Sequence, residues 1–200
     1  MVAASGISAM TARRMTLLAM LAGTVLIALP VWKPPAVRVI WNASASVPLG
    51  LYRIVSLDVS EDDRLDVTDL AVVMPSDDLA GFLDERRYLP KGLPLLKRVL
   101  ALSGTTVCRN GAAITAYGMT YGQARERDGQ GRPLPVWQGC RTLRTGEAFF
   151  MNWDSPDSFD SRYFGPLPLS TVVGRAIPLW TTDDPDPVAD SFREPVSDEP

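Results

Sequence analysis

The chain has 200 residues with 17 prolines and 46% apolar residues, enough for one domain with a real core plus extra pieces at its ends. Its net charge of −3 is unevenly spread: the last twenty residues, TTDDPDPVADSFREPVSDEP, hold seven acidic residues against one arginine, which leaves residues 1–180 mildly basic. There is no histidine, which excludes Ser–His–Asp and Cys–His catalytic groups and most zinc sites, and no basic run exceeds two residues, so nucleic acid is not an expected partner.

Met15 to Trp32, MTLLAMLAGTVLIALPVW, carries no charge. At 1.5 Å per residue it just spans a slightly thin bilayer core. Arg13 and Arg14 precede it and only Lys33 follows closely. The positive-inside rule then predicts a short cytoplasmic N-terminus (1–14), a transmembrane anchor in contact with lipid (15–32), and an exported, periplasmic domain (33–180). A cleaved secretory signal is the rival reading. It lacks a small-x-small site soon after Leu29, and Ala43-Ser44-Ala45 lies too far downstream. Both readings export the domain. Residues 181–200 bury too little apolar surface to offset their ordering entropy and are expected to be disordered.

Val37–Trp41 and Leu51–Leu57 read as strands on either side of a serine-rich segment. Asp58–Asp69 is turn-like, and a short strand LAVVMP follows. Residues 76–94 read as a surface connection with one helical turn, and Leu95–Leu102 as a strong strand. Residues 105–145 form short Gly- and aromatic-rich segments that read as a hairpin-like subdomain; EAFFMNW and TVVGRAIPLW supply the last strands. The expected architecture is mostly β, built of antiparallel sheets. In an exported domain Cys108 and Cys140 are expected to pair, and closing a loop of about 33 residues stabilises by roughly 3–4 kcal/mol on the chain-entropy model. Two buried free thiols are the alternative.

A general base at neutral pH must here be a carboxylate or one of the three lysines, Lys33, Lys91 and Lys97. On a strand, Lys97 shares its face with Leu95 and Val99. It either snorkels to water or is desolvated, which lowers its pKa. In NASASVPLGLYR, Val47 is pushed toward an extended conformation by Pro48, and Pro48-Leu49-Gly50 suits a tight turn. That bend holds Ser46 at the sheet rim with Ser44 on the same side. One hydroxyl is then placed to attack while the other, with the Ser46 amide, donates to an oxyanion; solvated loop serines are the alternative. In NWDSPDSFDSRYFGP, Ser158, Asp160 and Arg162 alternate and would share one side of an extended chain. They would orient an amine and pair internally, unless the segment is only a polar turn with a surface ion pair.

Taken together, SASVPLGLYR, LLKRVLALSG and NWDSPDSFDSRYFGP…VVGRA resemble the signal peptidase I superfamily, peptidase family S26. Within it they look most like the conjugative-transfer branch of the TraF type, on the S-x-P-x-G-L-Y, LP-x-W-x-G-C and DSRYFGP forms. The resemblance covers about residues 40–180. It implies a Ser/Lys dyad on a signal-peptidase-like β domain, with Ser46 as nucleophile and Lys97 as general base. It further implies Ser44 and the Ser46 amide as oxyanion hole, Ser158 as hydrogen-bond partner of the lysine, and Asp160 bracing the site with Arg162 or Arg98. No metal or cofactor is implied. Ser103-Gly104-Thr105 stands where the family commonly has Pro-Gly-Asp, which alters a turn.

The expected function is that of a serine endopeptidase, single-pass in the inner membrane, that processes an exported protein such as a prepilin by hydrolysis or cyclisation. A general signal peptidase acting on preproteins is the first alternative. A non-catalytic anchored scaffold of a secretion or pilus apparatus is the second.

Overall fold

The computed structural model describes residues 13–25, 38–57 and 65–182. Residues 13–25 form helix α1, and Thr24 Oγ1 donates back to the Met20 carbonyl at 2.9 Å. The expected anchor, 15–32, falls partly on α1 and partly outside the described residues. Among those residues no helix is long and apolar enough to cross a membrane. The predicted acidic tail also lies outside them from residue 183 onward.

Residues 39–182 build the β domain. Its larger sheet has seven strands, β1 (Arg38–Asn42), β2 (Gly50–Val55), β3 (Leu70–Val73), β4 (Leu95–Ala101), β9 (Glu147–Phe150), β10 (Leu167–Pro168) and β11 (Val172–Thr181), in the spatial order β1-β2-β11-β3-β4-β9-β10. The smaller sheet has four strands, β5 (Thr106–Asn110), β6 (Ala113–Ala116), β7 (Met119–Gln123) and β8 (Gly139–Thr142), in the order β7-β6-β5-β8. Pairings from β2 to β11 are antiparallel. This is the expected mostly-β, antiparallel architecture. The hairpin subdomain is the four-stranded sheet, with Cys108 of β5 directly opposite Cys140 of β8 and joined to it by a disulfide.

Period-two alternation divides the core between the two faces of the large sheet. Ala71 and Val73 of β3 and Leu95 and Val99 of β4 pack with Leu83, Ala148 and Phe150 on one face. Val72 and Leu96 point the other way, onto Val47, Tyr52 and Ala176. Ala71 lies opposite Lys97 in the β3–β4 register, so a small side chain leaves room beside the lysine.

Two local expectations are corrected. The connection 76–94 contains helix α2 (Asp77–Glu85), longer than one turn, because Leu79, Phe82 and Leu83 recur at helical spacing and Leu83 is buried against the sheet. The turn expected at Pro48-Leu49-Gly50 falls earlier, at Ala45-Ser46, and Gly50 opens β2. Gly50 answers to a close approach: at φ 151°, a β-carbon there would sit 2.1 Å from the Trp180 carbonyl oxygen.

Candidate active site

The serine loop leaves β1 and is tied down by residues not singled out in the sequence. The Asn42 amide donates to the carbonyls of Ser44 (2.8 Å), Val47 (3.1 Å) and Pro48 (3.0 Å) and accepts the Ser44 N–H at 3.1 Å. Tyr52 donates its hydroxyl to the Pro48 carbonyl at 2.7 Å. Held by these bonds, the loop presents two hydroxyls side by side, Ser44 Oγ and Ser46 Oγ 3.1 Å apart. The Ser46 N–H donates to Ser44 Oγ at 3.4 Å. Ser46 is half-buried and Ser44 exposed.

Lys97 lies mid-strand in β4 and is only 4% exposed. Its Nζ donates to Ser158 Oγ at 2.8 Å. Burial pushes the amine down from 10.5 to about 8; the nearby Asp160 carboxylate pulls it back up and the Arg162 guanidinium pushes it further down. Of the two fates open to this lysine from sequence, snorkelling and desolvation, the structure shows the second.

Ser44, Ser46, Lys97 and Ser158 line one cleft of about 670 Å³. Its apolar part is walled by Leu83, Leu95, Leu134, Phe159 and Tyr163. No hydrogen bond joins Ser46 to Lys97 among the described residues; Ser46 Oγ pairs with Ser44 Oγ and Lys97 Nζ with Ser158 Oγ.

Beneath the cleft the third segment is folded rather than extended. Asp160 caps the one-turn helix α3 (Ser161–Phe164) through the Arg162 N–H, which breaks the expected alternation. The two side chains nonetheless pair, bidentately: Arg162 Nε and Nη2 donate to the two Asp160 oxygens, each at 2.8 Å. Both residues are buried. A buried ion pair is tolerable only when its remaining donors and acceptors are also served. Here Arg162 also donates to the carbonyls of Asn152, Ser155 and Ser158, and Asp160 accepts the Asn152 N–H. This is a buried brace, not a surface pair.

Arg98 is not part of it. On the opposite face of β4, its guanidinium stacks 5.8 Å from the Trp153 ring. Asn152 takes the place beside Lys97 that sequence reasoning left empty. Its Oδ1 accepts the Arg98 N–H (2.8 Å) and its Nδ2 donates to the Leu96 carbonyl (3.2 Å), gripping the backbone on both sides of Lys97. The side chain extends the β4–β9 ladder past the end of β9, so its role depends on register and carried no local signal. Asn42 had one, an Asx-type spacing before a serine. Among the described residues no cluster of three or more Cys, Asp or Glu side chains is placed to hold a metal.

A hydroxyl pair lining the same cleft as a buried amine of lowered pKa is a set of groups suited to acyl transfer without histidine. The family comparison agrees in class: the chain belongs to the signal peptidase family, peptidase S26, whose model matches residues 10–180. Among individual proteins it is 34% identical over 149 residues to a probable conjugal transfer protein TraF of Sinorhizobium fredii, covering 70% of this chain and 76% of that one. It is 33% identical over 152 residues to the conjugal transfer protein TraF of Agrobacterium fabrum (71% and 82%), and 32% over 149 residues to a plasmid transfer protein TraF from Escherichia coli (70% and 81%). A crystal structure of a signal peptidase I from Enterococcus faecalis aligns with a TM-score of 0.34 at 18% identity, over 56% of this chain and 96% of that one.

Proposed function

We propose that the chain is a membrane-anchored serine endopeptidase that matures an exported pilin subunit for conjugation, using Ser46 as nucleophile and Lys97 as general base. The observation that carries this reading is the convergence of Ser44, Ser46, Ser158 and a buried, depressed Lys97 amine on one cleft. The names of the TraF relatives support the conjugative setting. The charge-free run 15–32 supports the anchor, with the domain on the periplasmic side.

In this mechanism neutral Lys97 Nζ takes the Ser46 hydroxyl proton as Oγ attacks the scissile carbonyl. The oxyanion is met by the Ser46 N–H and the Ser44 hydroxyl, which turn from each other toward the substrate. Collapse breaks the C–N bond, the Lys97 ammonium gives its proton to the leaving amine, and an ester to Ser46 remains. Water attacking that ester yields a free carboxylate. The substrate's own N-terminal amine yields a cyclic amide instead. In either case Lys97 takes the attacking group's proton and returns it to Ser46. Ser158 holds the amine on line throughout.

The test is mass spectrometry of the pilin subunit coexpressed with wild type, Ser46→Ala or Lys97→Ala. Processing by wild type alone is the expected result, and a product lighter by one further water identifies cyclisation. Continued processing by Ser46→Ala would remove Ser46 from the mechanism.

A further inference from the structure

Helix α3 is a single turn, and so short a helix closes too few of its own hydrogen bonds to stand alone. Yet it carries Arg162, and through Arg162 the whole brace under Lys97. Its first two carbonyls, Ser161 and Arg162, accept hydrogen bonds from two side chains of the small-sheet subdomain. Arg109 of β5, only 3% exposed, donates from Nη1 to the Arg162 carbonyl at 2.6 Å. The same guanidinium also reaches the carbonyls of Gly111 (3.2 Å) and Pro135 (3.4 Å). Trp137 donates its indole N–H to the Ser161 carbonyl at 3.1 Å.

Among the described residues Arg109 has carbonyl partners only and no carboxylate. Burying a guanidinium in that way is costly, and burial accordingly pushes its pKa down. Pro166 has no N–H to offer the Arg162 carbonyl at i+4, and the Arg109 guanidinium takes that place. The disulfide lies beside both contacts: Cys108 precedes Arg109 on β5, and Cys140 follows the Pro135–Trp137 segment.

We propose that Arg109, seconded by Trp137, is a positioning residue for the general base, and that the disulfide-tied sheet exists in part to hold it there. The connection is continuous. Arg109 and Trp137 fix the α3 backbone, and α3 holds Arg162 in its bidentate pairing with Asp160. That pair clamps the Ser155–Ser158 turn and Asn152, and these hold the Lys97 head group and backbone. This inference rests on the dyad reading above.

Asp160 and Arg162 are the charged groups whose fields act on the Lys97 amine, in opposite senses. If α3 frays, the Arg162 cation loses its fixed place, Asp160 is left less neutralised, and the amine becomes harder to deprotonate. The measurement is the pH titration of carbon-13-labelled lysine side chains by NMR in the full chain in detergent micelles. Only three lysines contribute, and Lys97→Met assigns the one that matters.

With Trp137→Phe, which removes the indole N–H and trims the ring, and with Arg109→Met, the Lys97 midpoint is expected to rise by roughly half a pH unit or more. The kcat for pilin processing should fall several-fold with KM changed less, and Arg109→Lys should recover part of both. A midpoint that stays at its wild-type value in folded Trp137→Phe and Arg109→Met protein would overturn the proposal, even if both melt earlier. Should Arg109→Met not fold, Trp137→Phe decides. A wild-type Lys97 titrating near 10.5 would instead sink the dyad reading itself, an outcome distinct from variants that fail to shift.

Discussion

Burying the Lys97 amine costs stability, and its pH dependence states the cost. The unfolded amine keeps its proton up to about 10.5, the folded one only up to about 8. Between those values the unfolded chain binds the extra proton, so stability rises with pH across that window, and the whole penalty is present below it. A gap of about 2.5 in pH at ~1.4 kcal/mol each is roughly 3 kcal/mol. Lys97→Met, a substitution of similar shape, should therefore stabilise the domain near pH 7 by about 1–2 kcal/mol, since Ser158 loses its partner. That gain should be lost by about pH 9–9.5 and reversed by about pH 10.5, as denaturant melts across that range will show. The same variant should be inactive, while wild-type kcat/KM should climb through about pH 8 as the base loses its proton. Half of this was legible in LLKRVLA: a lysine between apolar neighbours on one strand face. That its head group meets Ser158 rather than water was not.

At the scale of elements, strands were legible because alternation is local, while the joints between them were not. β4 appears within one residue of its expected end, yet the Asn152 side chain that completes its ladder comes from beyond β9. Asn152→Ala orphans the Arg98 N–H and the Leu96 carbonyl. It should cost about 2–4 kcal/mol in a urea melt and lower kcat/KM by at least about tenfold through the displaced lysine. The serine loop shows the same division. Its residue types were visible, but its turn lies at Ala45-Ser46, because Asn42 closes the loop before Pro48 and Gly50 is already part of β2. Gly50→Ala should destabilise by more than about 2 kcal/mol, measurable as a lowered Tm, because the added carbon meets the Trp180 backbone.

For the molecule as a whole, both sheets contribute to the cleft: β4 of the larger carries Lys97, and the β7–β8 connection of the smaller supplies Arg125, Asp128 and Leu134 to the wall. The Cys108–Cys140 disulfide spans 32 residues of sequence. Its loss in a Cys108→Ser, Cys140→Ser variant should cost roughly 3–4 kcal/mol on the chain-entropy model, seen as an earlier denaturant midpoint. The Arg109 and Trp137 contacts add a consequence beyond stability: on the proposed mechanism the kcat of the folded fraction should fall as well, because the small sheet reaches Lys97 through α3. A subdomain that served only stability would leave that kcat unchanged.

Three short segments, with their hydroxyls, lysine and acid–arginine pair, sufficed to place the chain in its family and to name the side chains in the cleft, because residue type and spacing travel with the chemistry they serve. Strand content and the disulfide were likewise written locally, in alternation and in cysteine usage. Only the tertiary structure decided which partners those side chains keep. Asp160 takes Arg162 and leaves Arg98 to Trp153; the uncharged Asn152 grips the strand on either side of Lys97; and Arg109 reaches across from another sheet to hold α3. Each of these is a contact across strand register or between sheets, where geometry depends on how distant segments pack and not on the residues beside them.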